Sequence, residues 1–179
     1  INRLDARLDA RTAMGNGESQ WITGAAARAD VHRLRADAGA VLTSSSTVLA
    51  DNPSLTVRDF QEPGMRQPAR VVLDSHARVQ ATARVWSEGA RRIWLTSRPA
   101  SAPNGVECMP VETGQSGTIS LPKALALLGQ QQINHVLVEC GPVLAGAFLT
   151  SGLVDEMVLY LAPSLLGHEA RALAALPGL

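Results

Sequence analysis

The sequence predicts an α/β domain with a mostly parallel central sheet flanked by helices. Short β-branched runs such as "ARVVLD", "RIWLT" and "HVLVE" alternate with segments of helical periodicity. These runs are apolar almost throughout, as strands buried on both faces are. Glycine and proline fall at the boundaries between the two kinds of segment. A chain of 179 residues, 46% hydrophobic and 18% charged, is long enough for one sizeable core, so a single domain is expected over residues 1–179.

Each element has its own warrant. After the turn-rich "GNGES", residues 24–38 set Ala27, Val31, Leu34 and Ala38 on one helical face, and "AGAVLT" follows as a short buried strand. The stretch "SSSTVLADNPSLTVRDFQEPGMRQP" is polar, carries three prolines and is expected as a long functional loop. Three strands are predicted next, in "ARVVLD", "RIWLT" and "VECMPV", and then a helix around "LPKALALLGQQ". Residues 136–154 form an apolar run close to the ~20 residues a bilayer span needs. Its grammar is that of a strand to Glu139, a turn at Gly141, Pro142 in a first helical turn and a helix stop at Gly152. "DEMVLYLAP" supplies the last strand.

Composition narrows the function. The formal net charge is zero and aromatic content is 3%, which leaves neither an overall basic field nor stacking platforms for nucleic acid. No membrane partner is expected. Cys108 and Cys140 form no CxxC pair and the four histidines are scattered, so no metal site or disulfide framework is read, and free thiols in the cytoplasm are expected. A start at Ile1 predicts a fragment of a longer chain.

In open α/β sheets ligands settle beyond the carboxyl ends of the strands. There the sequence places "TSSST", "DSHAR", "TSR", and Glu139 followed by "GPVLAGA", a glycine-punctuated helix start able to receive a phosphate. "GPVLAGA" is neither GxGxxG nor a Walker loop, and a packed helix explains it equally. Glu139 is read either as a carboxylate held by backbone amides or as a catalytic group. Trp21 is read as a core residue or a ligand wall; Arg28 and Arg35, seven apart, as a solvated stripe or an anion grip. No serine lies in a GxSxG elbow.

The blocks "LDARTA", "GESQWIT", "LRA" and "TVLADNPSLTVR", then "RVVLDS", "VECGP" and "GLVDEMVLYLAPSLLG", resemble in the same order those of the reductase domain of the bifunctional riboflavin-biosynthesis deaminase-reductases. The resemblance covers nearly the whole chain. It implies a dihydrofolate-reductase-like fold, a homodimer, and NADPH-dependent reduction of 5-amino-6-(5-phosphoribosylamino)uracil to its ribitylamino form. It implies substrate contacts at Ser19, Arg35, Leu55, Arg58 and Glu139. Paired guanidinium groups suit a phosphomonoester, since each can engage its oxygens bidentately. Cofactor contacts are implied at Trp21, Thr47, Asp51, Ser75 and the turn Gly141, Pro142, Val143, Leu144, Ala145, Gly146 and Ala147. Glu139 matches the family glutamate, which orients substrate or relays a proton.

Departures from the family pattern also carry expectations. Arg3 stands where a lysine is usual, with Asp5 and Arg7 in the small-residue and serine positions and Ala10 in place of a glycine. Arginine keeps the charge but does not donate a proton at working pH, so a catalytic role at Arg3 predicts slow or absent turnover if that lysine acts as an acid. Asn52 replaces the second aspartate of DDP, and Cys140 a small residue. The zinc deaminase half and the family's terminal strands are not in the sequence. Another pteridine or folate reductase on the same fold, or a non-catalytic nucleotide-binding module, are the alternative readings.

Overall fold

The computed structural model describes residues 1–7, 9–13, 24–58 and 63–176, with residues 2–7 and 13 described by their backbone. In chain order the elements are β1 (Asn2–Arg7), β2 (Arg11–Ala13), α1 (Ala25–Asp37), β3 (Ala40–Ser44), α2 (Ser45–Asp51) and β4 (Ala69–Leu73). After a 3-10 turn at Arg84–Trp86 come β5 (Arg92–Thr96), β6 (Glu107–Pro110), α3 (Leu121–Gln130), β7 (Val136–Glu139), α4 (Pro142–Thr150), β8 (Met157–Ala162) and β9 (Arg171–Ala172). The chain divides into two compact units, His32–Leu137 and Ile1–Val31 with Val138–Leu179.

In the His32–Leu137 unit the strand order is β6-β5-β4-β3, and all three pairings are parallel. Val41 pairs with Arg70, Val71 with Ile93 and Trp94 with Cys108. All five residues of β4 are buried, as a strand covered on both faces requires, and Val41, Leu42, Val71, Val72, Ile93, Leu95 and Leu128 are fully so. Arg70 sits within that strand with no exposed surface. Its guanidinium donates to Ser87 Oγ at 2.9 Å and to the carbonyls of Ser87 and Glu88, which holds the approach to β5. Burial and the neighbouring Arg92 charge push its pKa down. Trp86 and Trp94 pack with ring centroids 5.7 Å apart, tilted by 48°.

In the other unit the order is β7-β1-β8, again parallel, beside an antiparallel pair β2-β9. Asn2 to Arg7 align with Met157 to Ala162. Asp9 Oδ2 accepts from Leu166 N at 2.7 Å and Gly167 N at 2.8 Å, and Tyr160 donates its hydroxyl to Asp30 Oδ2 at 2.5 Å. The run 136–154 is a strand, a turn and a nine-residue helix, and no helix among the described residues is long and apolar enough to cross a membrane.

The fold class is the expected one, with two differences in detail. The start of the long polar stretch is a helix, α2, because Ser44 caps it, its Oγ accepting from Thr47 N at 3.3 Å. Asn52 then ends it in the left-handed conformation (φ 42°), which asparagine tolerates well, and its N–H donates to Val48 O at 2.9 Å. The second difference is in the strands: β1, with parallel partners on both sides, and the antiparallel pair β2 and β9 lie in segments where no strand was expected, so the last strand is β9 rather than the "DEMVLYLAP" run of β8.

Candidate active site

Three neighbouring strands of the His32–Leu137 unit deliver polar side chains to their carboxyl ends. Beyond β3, Ser44 Oγ shares hydrogen bonds with Ser46 Oγ at 2.8 Å and Thr47 Oγ1 at 3.1 Å. Beyond β4, Asp74 is fully buried, its Oδ1 included. Its Oδ2 accepts from Val79 N at 2.8 Å and Trp94 Nε1 at 3.2 Å, which shapes the turn 75–79. Ser75 is held on both sides, its Oγ accepting from Ile119 N at 2.9 Å and its carbonyl from Ser97 Oγ at 2.6 Å. Arg78 reaches back to α2, donating to Ser45 Oγ at 3.0 Å. Thr96 Oγ1, at the end of β5, donates to Arg98 O at 2.9 Å. The strand ends are thereby cross-linked by side chains, with Thr47 and Ser75 at this edge, and Asp51 lies at the far end of α2.

The second group in that unit is the arm Leu55–Arg58. Leu55 is buried and has φ 53°, and Arg35, half-buried on α1, donates from Nη1 to Thr56 O at 2.9 Å. Arg58 is exposed at the end of the arm. Arg35 therefore does more than decorate a solvated stripe: it bonds the arm that also carries Leu55 and Arg58.

In the other unit, parallel register sets Arg3 opposite Glu139 on adjacent strands. Glu139 is buried at the end of β7. Next to it, burial and the Glu139 charge push the Cys140 thiol up to about 12. α4 then starts at an extended Gly141 (φ −76°, ψ 175°) with Pro142 in the first turn and no side-chain cap. Val143 is widely exposed, Leu144 and Ala147 are half-buried, and Ala145 and Gly146 are buried. The close approach at Gly146 is made by the chain itself, since a Cβ there would lie 1.9 Å from the Ala175 carbonyl oxygen, and Ala175 N donates to Pro142 O at 2.9 Å.

Ser19 and Trp21 lie outside the described residues, as does the side chain of Arg3. Within "DSHAR" no spacing marks Asp74 or Arg78 apart from their neighbours. Nothing about Gln67, a lone glutamine before a proline, signals the double hydrogen bond that it makes to Val57.

Parallel strands ending in hydroxyl and guanidinium groups define an α/β domain of the kind that takes its ligands at the strand ends. Residues 4–179 match the family model described as the RibD C-terminal domain, and the chain belongs to that family. It is 45% identical over 189 residues to the Riboflavin biosynthesis protein RibD of Escherichia coli K12, covering 99% of this chain and 51% of that one. It is 38% identical over 174 residues to the 5-amino-6-(5-phosphoribosylamino)uracil reductase of Buchnera aphidicola, covering 89% of this chain and 83% of that protein. Among solved structures, Acinetobacter baumannii RibD superposes with a TM-score of 0.82 at 40% identity, over 97% of this chain and 48% of that one. The chain thus spans about half the length of the RibD proteins that it matches. Its fold is dihydrofolate-reductase-like.

Proposed function

We propose that the chain is a reductase that uses NADPH to convert 5-amino-6-(5-phosphoribosylamino)uracil to 5-amino-6-(5-phosphoribitylamino)uracil in riboflavin biosynthesis. The family match over 4–179 carries the reading. The donor set fits a polyanionic dinucleotide: Thr47, Ser75 and Arg78 present hydroxyl and guanidinium groups, while the carboxylate of Asp74 is turned inward onto Val79 N and Trp94 Nε1. Thr47, Asp51 and Ser75 hold the nucleotide, with Trp21 and the turn from Gly141 to Ala147 as its other contacts. A backbone with no side-chain cap at the α4 start offers amide donors to a diphosphate.

The chemistry that a reduced nicotinamide supplies is hydride donation, here to C1′ of the opened ribosylamine imine, with a proton completing the amine. The chain's part is alignment and the proton path. Arg35 and Arg58 are the grip on the phosphate end in this reading, and Ser19 and Leu55 are its other substrate contacts. Glu139, buried and in register with Arg3, orients the substrate or holds a proton. The cytoplasmic homodimer belongs to the same reading.

Purified protein given NADPH and the aminouracil ribose phosphate is expected to consume the reduced cofactor and yield the ribitylamino product by mass spectrometry. Clean cofactor binding with no turnover would overturn the reading.

A further inference from the structure

The arm Leu55–Arg58 does not support its own shape. Leu55 adopts a left-handed backbone (φ 53°) that a branched apolar residue takes up only under constraint, and its side chain is 3% exposed, so its backbone is what it can offer a ligand. The two peptide units that follow are bonded on both their N–H and C=O sides, and every partner is a side chain. Arg35 Nη1 donates to Thr56 O at 2.9 Å. The Gln67 amide makes a matched pair with Val57, its Oε1 accepting from Val57 N at 2.8 Å and its Nε2 donating to Val57 O at 3.0 Å, as a neighbouring strand would. His32 Nδ1 accepts from Arg58 N at 3.1 Å, which requires an unprotonated Nδ1.

We propose that Gln67 and His32 are positioning residues that lock the peptide planes on either side of Val57, so that the Leu55 backbone and the Arg58 side chain meet the phosphorylated sugar at a fixed spacing. The inference rests on the reading of Leu55 and Arg58 as substrate contacts. Preorganisation of this sort acts on affinity, because an arm already held in its bound form has less freedom to lose.

The test compares Gln67→Ala, His32→Ala, His32→Asn and Arg58→Ala by steady-state kinetics, with ribose 5-phosphate as a competitive probe of the phosphate end. Gln67→Ala deletes two hydrogen bonds and is expected to raise KM for the substrate and Ki for ribose 5-phosphate roughly tenfold, with kcat and KM for NADPH within about twofold. His32→Ala is expected to weaken both by roughly threefold, and His32→Asn, which keeps an acceptor, to restore them. If Arg58→Ala raises the substrate KM while the Gln67 and His32 variants leave it unchanged, the positioning role is overturned. An unchanged KM in Arg58→Ala would instead overturn the reading of the arm. A merely structural role predicts lower melting temperature with kcat and both KM values impaired alike, and that result also overturns the proposal. Should Gln67→Ala fail to fold, the two His32 variants decide: equal KM values in Ala and Asn refute it.

Discussion

At the scale of single residues, the two neighbours at the end of β7 divide the labour by environment. Glu139 is buried beside a thiol that burial, and then the Glu139 charge, pushes up to about 12. A thiol with so high a pKa has almost no thiolate at neutral pH and is a poor nucleophile. Cys140 is therefore expected to resist alkylation by iodoacetamide at about pH 8 in the folded protein and to react at an ordinary rate once unfolded, read by peptide mass spectrometry. Equal rates in the two states would refute the burial and the Glu139 contact together. Glycine at 146 has an equally local cause, the Ala175 backbone that takes the place of a side chain. That packing sits inside the glycine-punctuated turn that we propose for cofactor, so the packing reading of this stretch holds whether or not it also binds a ligand.

At the scale of elements, α2 shows how a few side chains convert loop-like sequence into helix. Seven residues cannot sustain a helix alone, so the Ser44 cap and the left-handed stop at Asn52 matter. Ser44→Ala is expected to cost about 0.5–2 kcal/mol, towards the lower end because the capping bond is 3.3 Å, and thermal melting measures it. An unchanged melting temperature would mean that packing alone holds α2. The strands β3, β4, β5 and β7 were legible because burial on both faces writes an apolar run directly into sequence. The capped helix was hidden, since serine signals a loop and a cap with the same letter. β1 was hidden too, because Arg3, Asp5 and Arg7 lower its apparent strand character. For the site, the strand-end rule led to the segments "TSSST" and "DSHAR" and the resemblance to Thr47 and Ser75 within them, whereas Gln67 and His32 escaped notice because they bond backbone groups distant in sequence. No spacing encodes such partners.

At the scale of the whole molecule, acid behaviour follows from carboxylates held below their ordinary range. A hydrogen bond and the charge of Arg91 keep Glu107 low, against the opposing effect of burial. Asp9 is low despite desolvation, through the amides of Gly167 and Leu166. A depressed folded pKa contributes stability that is present above the unfolded value, 4.5 for Glu107, and lost as pH falls through the folded one. Melting temperature is thus expected to hold steady from neutrality down to about pH 5 and to fall below it. Glu107→Gln should flatten that fall only slightly, since with side chains 34% and 43% exposed the Arg91–Glu107 pair is worth about 0.5 kcal/mol. A melting curve already collapsing at about pH 6 would point to histidine titration instead.

Anyone trimming this chain to its smallest workable form meets a boundary set by the notch in α4. Ala175 fills the space that Gly146 leaves and bonds Pro142, so this residue is masonry rather than trailing edge. Cutting back behind Ala175 would strip a wall from the helix whose first turn we propose for the dinucleotide, and fusion tags belong beyond that point.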